Sequence, residues 1–134
     1  MKKVIIFCLL LLMVQVSNAQ IRFFQGSWAE ALAEAKKQNK MIMVDFYTTW
    51  CPPCKLMTKT TFADTKVGDF ANQNFIAFKV DCERGEGIKL AEKYDIDSYP
   101  TICFIDKNGN LRNKEIGYKD VKEFLGILQN YKSQ

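Results

Sequence analysis

The sequence predicts an α/β fold, a single sheet with helices on both faces, and three observations carry that prediction. Short apolar runs bounded by polar or Gly/Pro punctuation recur at Met41–Tyr47, Phe75–Asp81 and Thr101–Ile105, as expected of strands covered on both faces. Between them, apolar residues return at three- and four-residue steps, the spacing of one buried helix face. The two patterns alternate along the chain, which is the order of an α/β domain.

The elements follow in sequence. Residues 21–24 are a short apolar segment, read as an edge strand stopped by Gly26. Ser27 and Glu30 fit a capping box, and Trp28, Ala31, Leu32 and Ala35 share one face of a helix ending near Gln38 and Asn39. The strand Met41–Tyr47 comes next, then a helix through Lys55, Leu56, Met57, Thr58 and Lys59. Thr65–Asn74 reads as a helix with Val67, Phe70 and Ala71 inward, and Phe75–Asp81 as a strand. A helix over 88–94 carries Ile88, Ala91 and Glu92 on its inner face and breaks at Asp95. Tyr99 and Pro100 precede the strand Thr101–Ile105, and Asn108-Gly109 predicts a hairpin turn into the strand Leu111–Ile116. Asp120 caps a last helix with Val121, Phe124, Leu125 and Leu128 as its stripe.

The first residues are read as a targeting segment. Lys2 and Lys3 are followed by an almost wholly apolar run from Val4 to Val16, and Ser17-Asn18-Ala19 offers the small residues a signal peptidase reads. The run falls short of the roughly 20 residues needed to span a bilayer. Residues 1–19 are therefore expected to be a cleaved secretory signal peptide, and 20–134 one domain. Cys8 leaves with the leader. Removing Lys2 and Lys3 from 19 basic residues leaves 17 against 15 acidic ones. A balance so near neutral points to neither nucleic acid nor a membrane surface as partner.

The chain has no histidine. No Ser-His or Cys-His catalytic pair exists, and no His-containing zinc site. Against that background Trp50-Cys51-Pro52-Pro53-Cys54-Lys55 is the most informative segment. A Cys-x-x-Cys pair serves chiefly as half of a zinc site or as a reversible disulfide. Zinc would require Cys51, Cys54, Cys82 and Cys103 to converge, and the last two form no second Cys-x-x-Cys. The pair sits where a strand gives way to a helix, and there unpaired N–H groups and the helix dipole favour the thiolate. Pro52 and Pro53 suit the first helical turn, and Cys54, one turn on, is expected to be the more buried thiol.

Taken together, Asp45, the Trp50-Cys51-x-x-Cys54-Lys55 motif six residues on, Pro100-Thr101 opening a strand, Asn108-Gly109 in a hairpin and Gly117 before the final helix resemble the thioredoxin superfamily. The resemblance covers essentially all of 20–134 and implies the thioredoxin fold, a central mixed sheet with helices on both faces. The leading helix and the stretch from Met57 to Asp64 are similar to exported thioredoxin-like proteins related to the C-terminal domain of DsbD. That implies a periplasmic or extracytoplasmic thiol-disulfide oxidoreductase, recharged by a membrane thiol donor and acting on disulfide-containing exported proteins. By the same resemblance the protein needs no cofactor beyond the Cys51–Cys54 disulfide, holds no metal and is a monomer. Cys51 looks like the attacking thiol, Cys54 the resolving one, and Asp45 the buried carboxyl that takes the Cys54 proton. Pro100 resembles the family's cis-proline, and Trp50, Tyr99, Thr101 and Gly117 fall where the family binds substrate, with Tyr118 beside them.

Two departures matter. Pro52-Pro53 supplies neither a histidine nor many N–H groups to solvate the Cys51 sulfur, so the dithiol is expected to be reducing, nearer thioredoxin at about −270 mV than DsbA at about −120 mV. Cys82 and Cys103 lie outside the shared motif. If the family's strand order holds, they flank the Asp45 strand on opposite sides, about 9.5 Å apart across two strand spacings, too far for a bridge. Cys103 reads as core, and so does Cys82, which alternatively serves as an auxiliary thiol.

Overall fold

The structure, a computed structural model, describes residues 19–132. Helix α1 spans Trp28–Gln38, strand β1 Met41–Tyr47, α2 Pro52–Lys59, α3 Thr65–Asn74, β2 Phe75–Asp81, α4 Gly87–Lys93, β3 Thr101–Ile105, β4 Leu111–Ile116 and α5 Val121–Tyr131. The strands form one sheet in the order β2-β1-β3-β4. β1 runs parallel to β2 and antiparallel to β3, and β3 antiparallel to β4, so the sheet is mixed.

Local chemistry sets the boundaries. Ser27 and Glu30 form the capping box: Oγ of Ser27 accepts the Glu30 N–H at 3.3 Å, and the Glu30 carboxylate accepts the Ser27 N–H at 2.7 Å. α1 ends as Asn39 turns left-handed at φ 52°, a conformation asparagine tolerates. Two cores lie on opposite faces of the sheet. Ile42, Val44 and Phe46 of β1 face α1 and α4, packing with Trp28, Ala31, Ala35, Leu90 and Ala91. Met43 faces the other way, toward Met57 of α2, Val67 and Ala71 of α3, and Phe124 and Leu128 of α5. Since side chains alternate along a strand, Asp45 shares the Met43 face, the one that α2 covers.

Two expectations need correction. Residues 21–24 are not a strand: one bridge joins Phe23 to Ala77, the Phe24 N–H donates to the Ala77 carbonyl at 2.7 Å, and the chain then swings away at Gly26, φ 147°. The segment is fastened instead by Asn72, whose Nδ2 donates to the Gln20 carbonyl at 2.9 Å, and by the Ile21 N–H donating to the Phe62 carbonyl at 2.9 Å. Gly68 of α3 is required there, because any Cβ would collide with the Ala19 carbonyl. In α4 the inward residues are Gly87, Leu90 and Ala91, while Ile88 and Glu92 are exposed. Gly87 sits where a Cβ would strike the Asp81 carbonyl, and that close approach turns the Leu90 face inward. The hairpin turn expected over 107–110 joins the antiparallel strands β3 and β4, with Gly109 in the left-handed region at φ 86°. Asp106 organises the loop, its carboxylate accepting the N–H groups of Asn108 and Asn110, each at 2.9 Å.

The leader expected over 1–19 lies, apart from Ala19, outside the described residues. Among the described residues no helix is long and apolar enough to cross a membrane.

Candidate active site

Cys51 is the N-cap of α2, with extended backbone at φ −84° and ψ 107°, and prolines occupy the first two helical positions. A proline ring fixes φ near the helical value and lacks the N–H that would be unpaired there. The first N–H of the helix is therefore that of Cys54, and it donates to the Cys51 sulfur at 3.2 Å. The two cysteines form a disulfide with Cα atoms 5.3 Å apart. Cys54 is not the more buried of the two: Cys51 is 2% exposed and Cys54 5%. In the closed disulfide the Cys51 sulfur folds over the helix end onto the Cys54 N–H, which withdraws it from solvent.

Asp45 is 2% exposed. The β1–β2 register sets it beside Lys79, whose ammonium lies 3.4 Å from Oδ2, while Oδ1 has no hydrogen-bond partner among the described residues. Burial pushes the Asp45 carboxyl up to about 6, and the Lys79 charge opposes the rise without cancelling it. Lys79 is itself held closely. Its ammonium donates to Thr58 Oγ1 at 3.2 Å and lies 4.8, 5.1 and 5.8 Å from the ring centres of Tyr47, Phe23 and Phe62. A cavity of about 300 Å³ behind the dithiol is lined by Cys54, Lys55, Thr58, Lys79, Tyr47 and Thr48.

The Tyr99–Pro100 peptide bond, just before β3, is cis. The Pro100 carbonyl accepts the Gly117 N–H at 2.8 Å, and the buried Thr101 hydroxyl donates to the Ser98 carbonyl at 2.7 Å. Gly117 has φ 87°, a conformation that favours glycine. Trp50 is 62% exposed, meets Tyr99 edge-on at 6.0 Å between ring centres, and donates its indole N–H to the Glu83 carboxylate. Ile116 and Tyr118 are exposed as well. Lys55 is exposed.

Cys82 and Cys103 are free and buried. β1 does lie between β2, just before Cys82, and β3, which carries Cys103, as the strand-order argument required. Burial pushes each thiol up to about 12, so neither is a ready nucleophile. Among the described residues no group of three or more His, Cys, Asp and Glu side chains could hold a metal ion.

Lys79, Glu83 and Thr58 join the site without standing out in the sequence as functional residues. Lys79 leaves a signal, the one cation in the strand Phe75–Asp81, whose residues before Asp81 are otherwise apolar. Glu83 and Thr58 leave none, because each matters only through the neighbour that the fold gives it.

A Cys-x-x-Cys disulfide at a helix N-terminus, with a buried carboxyl whose lysine partner lines the Cys54 cavity and a cis-proline following the tyrosine that Trp50 meets, is the site of a thiol-disulfide oxidoreductase. The chain belongs to the thioredoxin-like family, whose domain matches residues 28–132. It is 36% identical over 99 residues to thiol:disulfide interchange protein DsbD of Yersinia pestis, an alignment covering 72% of this chain but 17% of that protein. The solution structure of a candidate disulphide-isomerase from Bacteroides thetaiotaomicron superposes with TM-score 0.75 at 38% identity, covering 85% of this chain and 94% of that one. The oxidised C-terminal domain of Neisseria meningitidis DsbD shares the fold, with TM-score 0.69 at 20% identity over 81% of this chain and 98% of that domain.

Proposed function

We propose that this protein is a reductase of disulfides in exported proteins. The observation that carries the reading is the scarcity of backbone N–H donors around the Cys51 sulfur. One backbone N–H, from Cys54, donates to it, and two prolines occupy the positions that would supply others. A thiolate with few donors gains little from being reduced, and a dithiol whose reduced form is weakly stabilised is a reductant.

The cycle balances as follows. The reduced Cys51 thiolate attacks one sulfur of a substrate disulfide, forming a mixed disulfide and expelling the other substrate sulfur as thiolate. Cys54 then passes its proton to the Asp45 carboxylate, attacks the Cys51 sulfur, closes the Cys51–Cys54 disulfide and releases the second substrate thiolate. Two electrons have moved to the substrate. A thiol donor in the membrane returns them by the reverse exchange. Asp45 suits its part because a carboxyl near 6 is mostly ionised at neutral pH yet basic enough to hold a proton transiently. Trp50, Tyr99 and Gly117 make the surface against which the substrate segment lies, with the exposed Trp50 indole as its apolar contact, while Pro100 and Thr101, read from the sequence as substrate-binding, are buried and support that surface from beneath. Cleavage after Ala19 would release the domain as a soluble exported monomer.

Trapping tests the assignment. Cys54→Ser should accumulate mixed disulfides on Cys51 with exported proteins of the host, identified by mass spectrometry; capture of none would overturn it. Equilibration with glutathione fixes the direction of flow. A second reading, isomerase, draws on the description of the Bacteroides thetaiotaomicron relative, and a potential above about −180 mV would select it over the reductase.

A further inference from the structure

We propose that Thr58 is a positioning residue for the resolving step, its hydroxyl holding the Lys79 ammonium against the Asp45 carboxyl. The inference rests on the reading of Asp45 as the acceptor of the Cys54 proton. Thr58 stands four residues after Cys54 in α2, so the two side chains lie on one face of the helix. Both line the cavity behind the dithiol.

Without Thr58 the ammonium has somewhere else to go. Lys79 is partly exposed, its side chain 28% accessible, and a lysine on a flexible stem gives up a weak geometry readily. Two kinds of contact keep it at Asp45. The rings of Tyr47, Phe23 and Phe62 hold its charge from the sides without fixing its direction. The Thr58 hydroxyl accepts one N–H at 3.2 Å and so aims the ammonium, leaving Asp45 Oδ2 at 3.4 Å. Thr58 thereby ties the dithiol helix to the charge that balances the proton acceptor.

Few other groups can replace it. From α2, Cys54, Lys55 and Lys59 line the same cavity. From β1 comes Tyr47, whose ring carries the ammonium; from the end of β2, Cys82, whose thiol burial keeps protonated. On β3 the residue paired with Asp45 is Ile102, which has no charge. Lys79 is the cation within ion-pair distance of Asp45 among the described residues.

The test reads Asp45 directly, by carbon-13 NMR titration of its carboxyl in the oxidised protein. Thr58→Val keeps the shape and removes the hydroxyl, and since Thr58 is exposed the variant has no core to disrupt. With Lys79 released, the Asp45 midpoint should rise by about half a pH unit, the scale of a partly exposed ion pair, and Thr58→Ser should restore it. In the reduced protein, the pH profile of single-turnover release from a mixed disulfide should move with it, and adding Asp45→Asn should abolish the difference between the parent and the Thr58→Val variant. An Asp45 midpoint in Thr58→Val equal to that of the parent overturns the inference, as does a Thr58→Ser variant that behaves like Thr58→Val. The carboxyl titration can be read even if the protein reduces nothing, so failure of the reductase reading and failure of this one are distinguishable.

Discussion

Replacing Asp45 by Asn should stabilise the oxidised protein at neutral pH and leave a pH signature. A carboxyl that titrates near 3.8 in the unfolded chain and at about 6 in the native one binds a proton more tightly when folded. Between those values the native protein holds a proton the unfolded chain has released. Stability conferred by the protonated group is therefore full below about pH 4 and is lost as pH rises through about 6. The gap of about two pH units corresponds to about 3 kcal/mol, at about 1.4 kcal/mol per unit. Asn mimics the neutral acid at every pH, so the loss is absent from the variant. Its other effects, such as the altered contact with Lys79, add an offset that does not follow the Asp45 titration. The stability of Asp45→Asn minus that of the parent should thus climb by about 3 kcal/mol between about pH 3.5 and 7.5, then level off. Urea denaturation of the disulfide form across that range, with unchanged m-values, measures it. A difference that stays flat to within about 0.5 kcal/mol, or falls with pH, would refute the claim that burial dominates over Lys79 at this carboxyl.

Two further outcomes follow from the same geometry. Glu83→Ala should free the Trp50 indole and lower kcat/KM for protein disulfides about three- to fivefold, the scale of one exposed charge-assisted hydrogen bond, while alkylation of reduced Cys51 by a small reagent keeps its rate; an equal loss in both would mean Glu83 acts on the thiol and not on the substrate surface. In the oxidised protein, Cys82 and Cys103 should resist a thiol reagent at pH 8, where a thiol near 12 is ionised about once in ten thousand molecules, and both should react in guanidinium; prompt labelling of native Cys82 would restore it as an auxiliary thiol.

The sequence made the strands legible because each buried one is a nearly unbroken apolar run, and α1 because its capping box and its face agree. It misled about α4 because periodicity in a seven-residue helix allows more than one face, and the choice fell to a backbone contact at Gly87 that no local pattern encodes. The segment 21–24 has strand composition, yet the positive-φ step at Gly26 limits it to one bridge. At the site, Cys51 and Cys54 stood out by type and spacing, and Asp45 and Pro100 by the family resemblance. The relative burial of the two cysteines did not, since it depends on how the closed disulfide folds onto the helix end.

The partners of the motif come from one place the motif does not point to, the end of β2. Lys79 faces Asp45 because parallel pairing sets the fifth residue of β1 against the fifth of β2, and Glu83, four residues on, reaches the Trp50 indole. One segment thus supplies the counter-charge for the buried Asp45 carboxyl, the proposed proton acceptor, and the anchor for the exposed Trp50 indole. Parallel register explains why both arrive together: β2 ends level with β1, at Asp81 opposite Tyr47, and the Cys82 N–H donates to the Tyr47 carbonyl at 2.9 Å, which holds the segment after β2 to the start of the loop that carries Trp50 and Cys51. A shift of β2 by a single residue would turn Lys79 to the opposite face of the sheet, where it meets the Trp28 core and not Asp45. The environment of the Asp45 carboxyl therefore depends on the pairing of β2, and substitutions that loosen that pairing should alter the Asp45 titration before they unfold the domain.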